Sequence, residues 1–294
     1  MKKYINHFFR TFVILKNLIL HEIVRALDLF SINLKDKPKV NLVVAGVARA
    51  GTSGIINGLK QHPEIYVGRD EKNLDEDETK FFDQEENFSI SSTTQMITNY
   101  KNYHNKFFKN IDISKKIICS NAPIYSYWEN AIKRLWYYNK EIKLIIILRN
   151  PVERAYSHWN KEKNNGREKL SFHEAIQKEM ERSKNFLPYQ NRNSSYTERG
   201  FYTEQIRRAW KFFDKKNVLF IKYDDFCNNP KNIFNLIFEF LNITQIEVKS
   251  KYVGKQNYAE KINIEDFEYL REFFFYDICE TEKLLKWDCS EWKK

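Results

Sequence analysis

The chain has 294 residues, and its 49 Lys+Arg against 39 Asp+Glu leave a formal charge of +10 at pH 7. A chain of this length buries most of its apolar surface without disulfide staples. At 16% aromatic and 30% charged residues it is neither a disordered polyelectrolyte nor a membrane-embedded protein. Cys119, Cys227, Cys279 and Cys289 lie far apart with no CxxC pair. That spacing excludes a zinc ribbon and a disulfide framework, and suits buried or idle thiols in a reducing compartment. The basic excess points to an anionic partner without choosing among nucleic acid, membrane surface, polyanion and nucleotide.

In chain order, residues 4–31 are rich in apolar side chains but are interrupted by Arg10, Lys16, His21, Glu22 and Arg25. They are too charged for a transmembrane helix and lack the small-residue cleavage site of a signal peptide. Phe8, Phe9, Phe12, Leu15, Ile19, Ile23 and Leu27 recur at helical spacing. Residues 1–37 are therefore expected to form an amphipathic helical segment, either packed on the domain or touching a membrane surface through residues 1–31. The expected location is cytoplasmic, with membrane association through that segment as the variant.

Pro38 breaks the chain, and one α/β domain is expected over 38–294. Strands are predicted at 40–45, 116–119, 143–148 and 218–221, from short β-branched apolar runs. Helices are predicted at 55–60, 151–163, 172–182, 202–213, 231–241 and 264–286. Non-alternating apolar strands separated by helices predict a P-loop-like parallel β-sheet flanked by helices on both faces, in a single domain.

Four of the eight glycines, Gly46, Gly51, Gly54 and Gly58, fall in one short stretch. The segment Gly46-Val47-Ala48-Arg49-Ala50-Gly51-Thr52-Ser53 follows a strand and opens a helix, where backbone amides and the helix N-terminus nest a phosphate. It nearly matches GxxxxGK[ST], but Thr52 stands where the lysine belongs, and strand 143–148 ends in Arg149 rather than a magnesium-organising Asp. The loop thus suits a phosphate recognised by cations, with no metal required. A second constellation runs from Arg149 to Trp159. Asn150 caps and Pro151 takes the first helical position, so the Arg149 fork and the Ser157 hydroxyl approach one anion. Both constellations follow strands, where open α/β sheets bind ligands.

These residues carry a resemblance. Gly46 to Ser53 resembles the 5′-phosphosulfate loop of sulfotransferases that use 3′-phosphoadenosine 5′-phosphosulfate (PAPS), and Arg149 to Ser157 resembles their 3′-phosphate motif, RxPxxRxxS. His62-Pro63-Glu64-Ile65 and Glu78-Thr79-Lys80-Phe81-Phe82-Asp83 resemble the HPxI and ExxFF elements of the carbohydrate type, the heparan-sulfate N-/3-O-sulfotransferases included. Segments 171–176 and 199–205 and the ending around Phe275-Tyr276 and Leu284-Leu285 are similar too, so the match runs from about residue 40 to the end in consistent order.

The resemblance implies sulfuryl transfer from PAPS as co-substrate to a hydroxyl or amine of a carbohydrate or similar acceptor. It places Arg49 on the leaving phosphate, and Arg49, Ala50, Gly51, Thr52, Ser53, Arg149, Ser157 and Lys255 on the donor. It makes Glu78 the general base, with Lys80 as a further catalytic residue and Asp83 on the acceptor. Glu78 lies in an acidic run, Asp75-Glu76-Asp77-Glu78, whose like charges favour a proton-accepting carboxylate. Asn121 departs from the pattern, because relatives of the heparan-sulfate type carry Lys at that position. No nucleic-acid partner is expected, and the oligomeric state is not legible.

Trp128, Trp136, Tyr137, Tyr138 and Trp159 either line an acceptor groove or belong to the core and its rim. His158 and His173 are expected on helix surfaces. The rival functions are a P-loop kinase, disfavoured by Thr52 and the missing strand-end Asp, and a non-catalytic polyanion-binding protein. The second is disfavoured because Lys115-Lys116 and Lys215-Lys216 are pairs rather than longer runs, so the charge is dispersed.

Overall fold

The computed structural model describes residues 39–70, 78–88, 93–187, 189–249 and 261–294. The expectations for residues 1–37, the acidic run 75–77 and Lys255 lie outside them.

Five strands, β1 (Leu42–Gly46), β2 (Ile65–Val67), β3 (Ile117–Asn121), β4 (Lys143–Leu148) and β5 (Val218–Lys222), form one sheet in the order β2-β3-β1-β4-β5. Every pair is parallel. All residues of β1 and β3, and all but the first of β4, are buried. Successive strand residues face opposite sides, so both faces of the sheet are covered, and the unbroken apolar runs of the sequence follow from that.

The helices are α1 (Thr52–Leu59), α2 (Thr93–Phe107), α3 (Glu129–Tyr138), α4 (Pro151–Asn164), α5 (Phe172–Gln177), α6 (Glu179–Lys184), α7 (Tyr202–Phe212), α8 (Tyr223–Asn228), α9 (Pro230–Leu241) and α10 (Ile264–Leu285). The four predicted strands and most predicted helices appear with ends shifted by a few residues; α2, α3 and α8 were not predicted. The single helix expected over 172–182 is two. α5 starts on a capping box at Ser171, and the chain breaks at Lys178. The Glu179 carboxylate there turns inward to accept the amides of Thr197 and Glu198. The His62-Pro63 turn leads into the edge strand β2. The His62 imidazole bonds the Thr244 carbonyl at 2.8 Å and accepts the Glu64 amide at 3.1 Å, which ties the end of α1 to the end of α9.

Because the sheet is all parallel, the carboxyl ends of its strands share one edge. The chain leaves β1 for β2, returns through β3 beside β1, and crosses to β4, so order reverses around β1. Ligands of open α/β sheets bind at such a switch point.

Candidate active site

The β1–β4 pairing slips between Val44 and Gly46, and the chain leaves the sheet there, with the Val47 amide donating to the Ile147 carbonyl at 2.8 Å. Gly46 passes so close to the β3–α3 loop that a Cβ would sit 2.1 Å from Ser126 Oγ. Arg49 and Gly51 then take positive φ, 75° and 88°. At Gly51 a side chain would be strained by the backbone and would also meet the Tyr223 ring at 2.9 Å. Gly51 is the N-cap of α1, which has no side-chain cap and no acidic residue in its first turn. The Gly54 amide bonds the Gly51 carbonyl at 2.9 Å, while the Thr52 and Ser53 amides open the helix at an uncompensated dipole, the features of an anion site. Thr52 is buried and Ser53 exposed, while the Ala50 amide is bonded to the Val47 carbonyl.

α4 begins as its sequence implies, with Pro151 in the first turn and Asn150 Oδ1 accepting the Val152 amide at 3.0 Å. Arg149, at the end of β4, lies over the Tyr223 ring, 4.8 Å from its centroid, and pairs with Glu153 at 2.8 Å. Its Nη1 donates to the Arg49 carbonyl at 3.3 Å, while Arg49 Nε donates to Ser157 Oγ at 3.1 Å. Arg49 thus joins the glycine loop to both ends of the second constellation. Beneath them Arg154 is fully buried and donates to the carbonyls of Ala48 and Tyr196. Burial pushes its guanidinium down to about 10. Arg199, also buried, is shifted the same way.

The third part is the segment after β2. Thr79 is fully buried; its amide donates to the Asn121 carbonyl at 2.7 Å and its carbonyl accepts the Tyr125 hydroxyl at 2.6 Å. The same hydroxyl accepts the amides of Phe81 and Phe82 at 3.2 and 3.1 Å. Phe81 and Phe82 sink into an aromatic cluster with Phe88, Tyr103 and Tyr125. Glu78 and Lys80, on either side of Thr79, are about one-third exposed and 3.8 Å apart. The Asp83 side chain is completely covered: Arg192 pairs with Oδ2 at 2.8 Å and Gln190 Nε2 donates to its carbonyl at 3.1 Å. Burial pushes the Asp83 carboxyl up against the opposing pull of Arg192. Asn121 is buried, and its Oδ1 has no partner among the described residues.

A family model described as "Sulfotransferase domain" matches residues 39–293. The chain belongs to the sulfotransferase family. Mouse heparan sulfate glucosamine 3-O-sulfotransferase 5 is 23% identical over 212 residues, covering 68% of this chain and 53% of that protein. Mouse carbohydrate sulfotransferase 15 is 25% identical over 166 residues, 46% of this chain and 30% of that protein. The chain thus spans about half, or less, of these relatives. The crystal structure of a sulfotransferase from Alicyclobacillus acidocaldarius shares the fold, with a TM-score of 0.70 at 23% identity over 88% of this chain and all of that one. Sulfuryl transfer is the chemistry of the family.

One expectation needs correction. His158 of the sulfotransferase is not on a helix surface: it is buried, with its ring edge-on to Tyr196. Burial, with Arg199, Arg154 and Arg49 nearby, holds its imidazole well below the usual histidine range. α4 is covered on nearly every side. His173 is exposed as expected and bonds Asp266 at 2.7 Å. Tyr138 and Trp159 are core residues, and Trp128 and Trp136 pack on the core's rim. Sequence inspection missed Tyr125, Tyr223, Arg192 and Arg199. Tyr223 had a signal, since it follows the carboxyl end of β5, and Arg199 opens the segment 199–205 already matched by resemblance; Tyr125 and Arg192 carry no local pattern.

Proposed function

We propose that this sulfotransferase moves the sulfuryl group of PAPS to a hydroxyl or amine of a carbohydrate acceptor. The observation that carries the reading is Arg49, which spans from the uncapped α1 N-terminus to Ser157 and Arg149. Anion-binding elements that are separate in sequence are thereby one surface. The curated relatives that act on carbohydrate support the acceptor class.

In the proposed reaction the acceptor oxygen or nitrogen bonds to sulfur as the bond from sulfur to the bridging phosphate oxygen breaks. The bridging oxygen keeps the electron pair, and the acceptor's proton passes to Glu78. The amides of Gly51, Thr52 and Ser53 and the α1 dipole receive the 5′-phosphate end, with Ala50 shaping the turn. Arg149 and Ser157 receive the 3′-phosphate, with Lys255 assigned to the same group by resemblance. For this, Arg49 and Ser157 exchange their mutual hydrogen bond for the donor's oxygens. Arg49 stabilises the charge growing on the leaving phosphate and acts only electrostatically, since a guanidinium there stays protonated. Lys80, beside Glu78, faces the sulfuryl oxygens. Catalysis is then mostly positioning and charge stabilisation, as in phosphoryl transfer. Asp83 serves the acceptor side from beneath Gln190 and Arg192.

Thermal melting with 3′-phosphoadenosine 5′-phosphate (PAP) against ATP with Mg²⁺ tests the donor. At about 100 times its Kd a ligand adds about 2.7 kcal/mol, enough to move the midpoint by several degrees. PAP is expected to raise the midpoint and ATP with Mg²⁺ to leave it unchanged; the reverse pattern favours a kinase.

A further inference from the structure

The turn after α6 holds a cluster of large apolar side chains out into solvent. Past Lys184 the chain continues in tight turns. The amides of Phe186 and Leu187 donate to the carbonyls of Ser183 and Lys184 at 3.1 and 3.3 Å, and the Tyr189 amide donates to that of Phe186 at 2.7 Å. Met180, Phe186, Leu187 and Tyr189 stand on this coil between 46% and 71% exposed. The backbone beneath them is tied down at both ends. Glu179 accepts the amides of Thr197 and Glu198, and Arg182 donates to buried Glu168 at 2.7 Å. The loop that follows, 189–200, is fastened by Arg199, which donates to Ser195 Oγ at 2.6 Å and to the Asn191 carbonyl at 2.9 Å. Single exposed apolar residues are ordinary, but four so close together on a fixed backbone mark an interaction surface.

Charge decides what that surface meets. Residues 161–184 hold seven basic residues against five acidic, and of the five Glu162, Glu168 and Glu179 are buried. Lys178 and Lys184, on either side of Met180 in the chain, are exposed. The bond from Arg182 to Glu168 brings the exposed cations Arg167 and Lys169 alongside. α10 carries another exposed apolar group, Tyr269, Phe273, Phe275 and Tyr276, but among seven acidic residues and two basic ones. An anionic surface attracts the first patch and repels the second. Met180 and Leu187 gain nothing from a soluble polyanion, whereas both leave water at an acyl boundary. Apolar side chains ringed by Lys and Arg at headgroup level are the composition of a face that rests on a bilayer.

We propose that the α6 face, Met180, Phe186, Leu187 and Tyr189 with Lys178 and Lys184, docks this sulfotransferase on an anionic lipid bilayer. The apolar side chains enter the acyl boundary while the cations stay with the lipid phosphates. The assignment is independent of the donor and acceptor reading above. Gln190, next in the chain after Tyr189, holds the Asp83 carbonyl at 3.1 Å, so docking there brings the Glu78–Asp83 segment to the membrane side of the molecule.

The test is flotation of the full chain with vesicles of phosphatidylcholine and phosphatidylserine, and with vesicles of phosphatidylcholine alone. Wild type is expected to float with the anionic vesicles and not with the neutral ones. Phe186→Ser combined with Leu187→Ser should weaken that binding at least about 10-fold, since each removes an apolar side chain from the acyl boundary. Lys178→Glu combined with Lys184→Glu should weaken it about 10-fold or more, a difference that salt near about 1 M removes. Tyr276→Ser on α10 should change nothing, and residues 1–31 are common to every variant. On anionic vesicles the amides of 180–187 should exchange with solvent more slowly, while those of α10 keep their rate. Wild type that stays with the soluble fraction, patch variants that float as well as wild type, or an equal loss in Tyr276→Ser overturns the proposal. If the serine variant melts early, the charge-reversed variant decides.

Discussion

Thr79 is the residue through which two charged neighbours are held in place without themselves being buried. Its amide and carbonyl are both tied inside the protein, so Glu78 and Lys80 leave a fixed backbone unit toward solvent while Phe81 and Phe82 anchor the far side. Burying one such phenylalanine contributes about 1.5–3 kcal/mol, ample to hold a short turn. In the proposed reaction the donor and acceptor contacts come from separate segments, so two substitutions should separate them. Glu78→Gln is expected to lower kcat about 10²–10⁴-fold and leave PAP affinity unchanged. Arg149→Ala is expected to weaken PAP binding about 10–100-fold. Steady-state kinetics with calorimetry checks both, and a Glu78→Gln enzyme that turns over normally removes Glu78 as the base.

Among the elements, α4 matters most. Its start was legible because both signals are adjacent: Asn150 caps and Pro151 brings a preset φ and no amide to satisfy. From that start the helix carries Ser157 to the Arg49 guanidinium, so a loose first turn would loosen the contact proposed to hold the donor. Asn150→Ala is expected to cost about 1 kcal/mol, a fall of about 2–4 °C in Tm, with weaker PAP binding; Asn150→Asp, which keeps the cap, should lose neither. Calorimetric melting with and without PAP reads both effects. The break between α5 and α6 was not legible, because its cause is Glu179 bonding amides that follow it by 18 and 19 positions.

At the scale of the molecule, the covering of α4 by loop 189–200 buries a titratable group in a cationic neighbourhood. Folded His158 holds its proton less tightly than the unfolded side chain, whose ordinary value is near 6.5. Below that pH the unfolded state binds more protons, so this residue's contribution to stability falls as pH falls, by at most about 1.4 kcal/mol per pH unit. Denaturant midpoints at pH 7, 6 and 5 should therefore drop more steeply for wild type than for His158→Gln. The comparison cancels the carboxylates common to both, and equal slopes would mean that His158 titrates normally.

The sequence by itself determined the parallel α/β sheet, the glycine loop, the Arg149–Ser157 element and the ExxFF segment. Each is written in consecutive residues, because strand burial, helix capping and left-handed turns are properties of short stretches of backbone. Tertiary structure alone decided that Arg49 joins the glycine loop to the Arg149–Ser157 element, that Asp83 is covered and paired with Arg192 of loop 189–200, and that His158 is buried. These depend on contacts such as Asp83 with Arg192 and Arg49 with Ser157, 109 and 108 positions apart. Burial and charge pairing belong to residues that folding brings together, and no local pattern of residue types announces them.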